Sequence, residues 1–355
     1  MSVWVAACGQ SPVGAEPDAG AEPDAGSQPD AGSQPDAGAE PDAGSPLTLA
    51  QRVTAATETA NTNPACSTAN LPEGFYWEVG DKDGLLASGS VTGSNTPAAT
   101  QVLAIASASK WLYSTYVLQK AGSLRASDVP YLNFTSGHVY PPAQGLREAT
   151  CGAMETVGEC AATVVETASA KDKFFYSAGH FQHHAANVMG LSAMNAGALT
   201  TELVSTLGPA YDFRYLQTNL AGGANASASS YAAFLRRMLR GEYVMSAHLG
   251  GEKVCASSAC ASGAVLSPAP ADEAWRYALG HWVEDDPAVG DHAFSSAGAL
   301  GFYPWIDASK RWYGVIARRA AMAGGSQGVV SLKCGRLIRQ AWVTGRTTTS
   351  PTPTP

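Results

Sequence analysis

Five tandem hexapeptides, AEPDAG, AEPDAG, SQPDAG, SQPDAG and AEPDAG, fill residues 15–44 and limit where this chain can begin to fold. Every unit carries Pro, Asp and Gly and none carries a large apolar side chain, so nothing is buried that could offset the entropy of ordering the segment. The period is too short and too polar for stacked repeats. The expectation is a disordered, extended linker over residues 9–46, a globular body over 47–346, and a disordered tail over 347–355, TTTSPTPTP. The repeats hold Asp18, Asp24, Asp30, Asp36, Asp42, Glu16, Glu22 and Glu40 with no base, which accounts for the formal charge of −8 on the 355-residue chain. The body is therefore close to neutral. Without a Lys/Arg cluster it has no electrostatic footprint for nucleic acid, and that class of partner is excluded.

Ahead of the linker, Val5-Ala6-Ala7-Cys8 resembles the cleavage site of bacterial lipoprotein leaders, in which the cysteine is lipidated. Only seven residues precede Cys8, fewer than a basic segment plus an apolar core requires, so residues 1–8 read as a truncated leader of that type. An ordinary free or buried cysteine is the competing reading. No apolar run is long enough for a spanning helix, so membrane contact is expected only through a lipid anchor, at an extracytoplasmic, bacterial-envelope location. Six further cysteines remain. Proximity along the chain suggests Cys151 with Cys160 and Cys255 with Cys260, which leaves Cys66 with Cys334 to join the two ends of the body, although spacing alone permits other connectivities. Disulfides that persist imply an oxidising compartment. No C-x-x-C with histidine partners occurs, and no metal or cofactor is expected.

The body begins with helical spacing over Leu47–Ala60, then two strand-like runs, GFYWEVGD (74–81) and GLLASGSV (84–91), around a Lys82-Asp83-Gly84 turn. Residues 107–121 read as a helix, and 153–239, rich in Ala and Leu, as helices and loops. Strand patterns return in RYALGHWVE (276–284), ALGFYPWID (299–307) and RWYGVIARR (311–319), with a turn at 308–310, before a last helix from about 326 to 342. Strands at both ends with helices between them predict an α+β fold: an antiparallel sheet built from N- and C-terminal strands, flanked by helices, with an inserted helical lobe and a cleft between the lobes.

Within this frame Ser107 precedes Lys110 by three residues at a helix start, so both side chains fall on one face. A hydroxyl becomes a nucleophile when a neighbouring base takes its proton, and a sheltered lysine amine can be that base; the helix N-terminus adds a favourable positive field. Taken alone, S-x-x-K is equally a capping serine with a surface lysine. His180, His183 and His184 share a helix face, but no acid or cysteine nearby completes a metal site, and a packed or exposed cluster is the expectation. There is no G-x-S-x-G elbow.

Four further segments accompany the Ser-Lys pair: LNFTSGH (132–138), FFYSAGHFQ (174–182), LAGGANASASSYAAFLRRML (220–239) and SSAGALGFYPW (295–305). In order and spacing they resemble the serine β-lactamase and penicillin-binding family, its class C and esterase branch above all. The resemblance implies Ser107 as nucleophile, Lys110 and Tyr176 as proton-transfer residues, the backbone N–H groups of Ser107 and Ala299 as oxyanion hole, and Ala178, Ser296, Ala297 and Gly298 as substrate-contact positions. Two departures stand out. Ala178 replaces the family's asparagine, and Ser296-Ala297-Gly298 replaces Lys-Thr-Gly, so an amide and a carboxylate-gripping cation are both missing. The expectation is a monomeric hydrolase that forms an acyl-enzyme on a small-molecule or peptide-like ester or amide. Two alternatives stay open: a β-lactamase or D-Ala-D-Ala peptidase, and a catalytically degenerate, lipid-tethered binding protein.

Overall fold

A computed structural model describes residues 46–141, 151–152, 154–260, 263–321 and 327–352. The leader with Cys8 and the hexapeptide repeats lie outside these residues. Thr48 opens α1 (Leu49–Thr62) with a reciprocal cap: its hydroxyl accepts from Gln51 N, and Gln51 Oε1 accepts from Thr48 N at 2.8 Å. The first two strand patterns become β1 (Gly74–Gly80) and β2 (Leu85–Thr92), turned by Asp81, whose carboxylate accepts from the amides of Asp83 and Gly84. Short β3 (Leu103–Ala104) leads through a 3-10 turn at Ala106–Ala108 into α2 (Ser109–Ala121).

The middle of the chain holds α3 (Val129–Leu132), β4 (Ser136–Val139), α4 (Val157–Ala161), β5 (Val165–Lys171), α5 (Gly179–Asn187), α6 (Ala196–Leu207), β6 (Arg214–Tyr215), β7 (Ala224–Ala226) and α7 (Ala228–Leu239). After it come β8 (Val254–Cys255), β9 (Arg276–Ala278), β10 (His281–Val283), β11 (Phe294–Ser295), β12 (Tyr303–Ile306), β13 (Tyr313–Ala317) and α8 (Gln327–Thr344).

Eight strands form one antiparallel sheet in the order β2-β1-β13-β12-β11-β10-β9-β8, so the first strand pairs with the last: Tyr76 faces Ala317 and Gly80 faces Tyr313. All seven residues of β1 are buried, because both faces of the sheet are covered. Gly335 of α8 sits against Tyr303 and Ile316, whereas Arg236 of α7 reaches the Tyr313 hydroxyl at 2.8 Å. Residues 313 and 316 differ in parity along β13 and point to opposite faces, so α7 and α8 sandwich the sheet. A buried charge cluster fastens α8. Glu284 accepts from Arg336 Nε at 3.1 Å, Arg339 Nη2 at 2.8 Å and the Tyr303 hydroxyl at 2.7 Å. Burial alone would raise the Glu284 pKa, but the Arg339 and Arg336 charges outweigh it and hold it at about 2. Disulfides join Cys66 to Cys334, Cys151 to Cys160 and Cys255 to Cys260; the first ties the end of the α1 region to α8.

The α+β arrangement with a sheet from both chain ends is the one expected, but four local readings change. RYALGHWVE is not one strand but the hairpin β9–β10, turned at Leu279 (φ 43°) and Gly280 (φ 83°). A Cβ on Gly280 would lie 2.0 Å from Ser114 Oγ, so the turn can rest on α2 only with glycine there. The segment 153–239, read as helices and loops, also contributes β5, paired with β4, and the β6–β7 pair. Ser107 lies in the 3-10 turn and not in the first turn of α2. The start of the tail is held: Asn63 Nδ2 donates to the carbonyls of Thr348 and Ser350 at 2.8 Å, and the Thr348 amide donates to Thr59 Oγ1. Asn63 is buried and needs those acceptors.

Candidate active site

The turn that carries Ser107 is strained and clamped. Ala106 has φ 46°, a conformation that costs a non-glycine residue about 1–2 kcal/mol. Ser109 Oγ donates to the Ala106 carbonyl at 2.6 Å and accepts from the Ala224 amide at 3.2 Å, which ties the turn to β7. Tyr231 of α7 donates to the Ala108 carbonyl at 2.8 Å, and Ser296 Oγ donates to the carbonyl of Ser107 at 3.1 Å. Behind the turn, a Cβ on Gly298 would stand 2.1 Å from the Ile105 carbonyl oxygen. The loop after β11 therefore touches the backbone beside Ser107 directly, as only glycine allows.

Lys110, in the first turn of α2, is buried, and its Nζ lies 3.0 Å from Ser107 Oγ and 2.7 Å from the Ala221 carbonyl. The same nitrogen stands 4.7 Å from the centre of the Tyr176 ring. Among the described residues Lys110 makes no ion pair, so its polar partners are a hydroxyl and a carbonyl. The Tyr176 hydroxyl donates to Ser107 Oγ at 2.9 Å. Two polar side chains from different elements thus converge on one oxygen.

Tyr176 is held by both backbone and ring. Its amide donates to the Leu266 carbonyl, and its ring stacks on Trp282 at 5.7 Å and 18°. The preceding carbonyl, Phe175 O, accepts from His180 Nε2 at 3.0 Å. Because a carbonyl can only accept, Nε2 carries the proton, and Nδ1 accepts from Ser136 Oγ at 2.7 Å. Burial keeps this ring neutral, with its pKa pushed down to about 3. The other two histidines of α5 both pack against the Tyr131 ring. His184 bridges Tyr113 and Asp128, at 2.9 and 3.1 Å, and His183 stacks on Tyr131.

Ser107, Tyr176 and Ala299 sit where two chambers of the cleft meet. The larger, about 450 Å³, is lined by Lys110, Ala178, Gln217, Asn219, Asn225 and the Gly222-Gly223 backbone. The smaller, about 150 Å³, is walled by Pro268, Ala269, Trp275, Trp282, Ala297 and Val329. Lys110 is the single Lys, Arg, His, Asp or Glu among the described residues lining either chamber. Cavities of about 610 Å³ beside Tyr243 and beside Trp312 do not include Ser107.

Of the residues singled out in the sequence, Ser107, Lys110 and Tyr176 come together, and Ala299, whose amide makes no hydrogen bond among the described residues, lines both chambers. Ala178 and Ala297 line the chambers. Ser296 and Gly298 do not. The Ser296 hydroxyl is buried and spent on the Ser107 carbonyl, and Gly298 packs on Ile105, so both shape the site from behind. Sequence reasoning missed Trp275 and Trp282, one just before the first strand of an unrecognised hairpin and one on its second strand, and Ala221, whose contribution is a backbone carbonyl with no signature at all.

No protein-family model and no curated protein sequence matches the chain. Solved structures do match. A penicillin-binding protein homologue from Pyrococcus abyssi, itself octameric, shares 12% identity at a TM-score of 0.57, covering 85% of this chain and 78% of its own. A D-amino acid amidase from Ochrobactrum anthropi shares 11% at 0.55, covering 77% and 97%. A β-lactamase from Mycobacterium bovis shares 16% at 0.50, covering 79% and 99%.

Proposed function

From a chain that carries the fold shared by serine β-lactamases and penicillin-binding proteins, we propose a serine hydrolase that works through an acyl-enzyme on uncharged esters or small amides. The observation that carries this reading is the convergence of Lys110 Nζ and the Tyr176 hydroxyl, at 3.0 and 2.9 Å, on Ser107 Oγ at the mouth of a cleft. In the mechanism, Ser107 Oγ bonds to the substrate carbonyl carbon while its proton passes to Lys110 in its amine form, through or beside Tyr176. The carbonyl oxygen, now anionic, takes hydrogen bonds from the amides of Ser107 and Ala299. Collapse breaks the bond to the leaving group, which receives the proton. Water then attacks the acyl carbon by the reverse relay and frees Ser107.

Among the described residues lining the two chambers no cation stands beside Lys110, which supports neutral substrates over β-lactams or D-Ala-D-Ala peptides, whose carboxylate favours a charged partner. Three disulfides support an extracytoplasmic location. Among the described residues no helix is long and apolar enough to cross a membrane. Attachment through a lipid on Cys8, with the repeats as spacer, completes the proposal.

The test is intact mass after incubation with a fluorophosphonate and with 4-nitrophenyl acetate. The wild type gains one adduct and releases nitrophenolate, and Ser107→Ala does neither. Labelling of the Ser107→Ala variant to the wild-type extent would overturn the assignment.

A further inference from the structure

The two chambers differ in a way that assigns the two halves of the substrate, an assignment that rests on the hydrolase reading above. Apart from Ser107 and Tyr176, where it meets the larger one, the smaller is lined by apolar side chains. Trp275 and Trp282 meet edge to face at 5.3 Å, and the Trp275 indole N–H is already given to Glu273 Oε2 at 2.8 Å, so its ring offers the pocket carbon surface only. Both rings are almost fully buried. Trp282 is fixed further by the stack on Tyr176 and by Phe174 at 5.8 Å. Such a wall is rigid and selects by size. An apolar cavity of about 150 Å³ holds a group the size of benzene.

Tyr176 borders both chambers, so the position of Lys110, which carries the proton, decides which half of the substrate enters the smaller one. The leaving group must come within hydrogen-bond reach of whatever protonates it. Lys110 lines the larger chamber and not the smaller, and the larger chamber also carries the amides of Gln217, Asn219 and Asn225. The departing oxygen or nitrogen belongs there, with its polar surroundings and room for the attacking water. The acyl side then occupies the smaller chamber.

We infer that the enzyme is specific for a compact apolar acyl group, of benzoyl or short branched-alkyl size, seated between Trp275 and Trp282, with a neutral polar leaving group in the larger chamber. Ala269 and Val329 set the depth of the acyl pocket. Both lie on the wall and neither touches Ser107 through a hydrogen bond.

The test compares 4-nitrophenyl acetate, benzoate and succinate, which share one leaving group, on wild type, Ala269→Phe and Val329→Ala. Wild type prefers benzoate to acetate and disfavours succinate, whose carboxylate finds no partner. Ala269→Phe fills the pocket and lowers the benzoate-to-acetate ratio of kcat/KM by about tenfold or more, the scale at which apolar pockets discriminate. Val329→Ala deepens it and shifts preference toward a naphthoate ester, which keeps the question answerable if the larger residue prevents folding. Turnover of acetate with the ratio unmoved in both variants overturns the pocket assignment alone. Failure of the wild type to acylate Ser107 with any of the esters overturns the hydrolase reading and the pocket with it.

Discussion

At the scale of single residues, the site divides into what is local in the chain and what is not. Ser107 and Lys110 were legible because three residues of spacing place two side chains together whatever the tertiary fold. Tyr176, 69 residues away, was reached only through a family resemblance, and the details that hold it, the His180 bond to Phe175 O and the Trp282 stack, left no mark in the sequence. Nor does the strain at Ala106, since alanine is an unremarkable residue until its φ is known. The Tyr176 hydroxyl makes a sharp prediction. Tyr176→Phe keeps the ring and its stacking but removes the proton-transfer oxygen, so kcat falls by about 10²–10⁴-fold. Stability changes by only about 1 kcal/mol. A purely structural tyrosine would leave steady-state kcat near the wild-type value.

Among elements, the loop from β11 to β12 and the turn before α2 behave as one unit. Ser296 holds the Ser107 carbonyl and Gly298 lets the backbone of the loop approach Ile105. Gly298→Ala places a methyl where a carbonyl oxygen already lies, at a cost of about 1–3 kcal/mol. It also moves the Ala299 amide away from Ser107. The expected result is a modest loss of thermal stability with a disproportionate loss of kcat, more than about tenfold; circular dichroism melts alongside ester turnover separate the two, and a variant with full activity would detach the loop from the chemistry. The long elements were readable from pattern, as in β1, α2 and α8. The short ones were not. Strands of two or three residues such as β6, β9 and β11 are too brief for a period to show, and β5, VETASAK, is exposed along most of its length and lacks an apolar face. Equally brief β3, β7 and β10 bring Ala104, Asn225 and Trp282 to the cleft.

Considered as a whole, the molecule buries imidazole rings and charge in ways that respond to acid. His180 and His281 are fully buried, and burial lowers the pKa of each to about 3 from an ordinary value near 6.5. Between those values the unfolded chain binds protons that the folded chain does not, so stability is level above about pH 6.5 and falls as the pH drops toward 3. The slope is about 1.4 kcal/mol per pH unit for each ring. Glu284, held at about 2 by its arginines, acts in the same direction but only further into acid. Urea unfolding midpoints at pH 7.5, 6, 5 and 4 check this, and midpoints that stay constant down to pH 5 would show that the rings are protonated without unfolding. The pairing of β1 with β13 has a different kind of consequence. Synthesis delivers β1 long before its inner neighbour β13, so the nascent polypeptide cannot close this sheet until that strand emerges, and the Cys66 thiol waits 268 residues for Cys334. A truncated product ending before residue 313 is left with an open, sticky edge on β1, and a cell making this protein depends on reaching its final strand before that edge finds another chain.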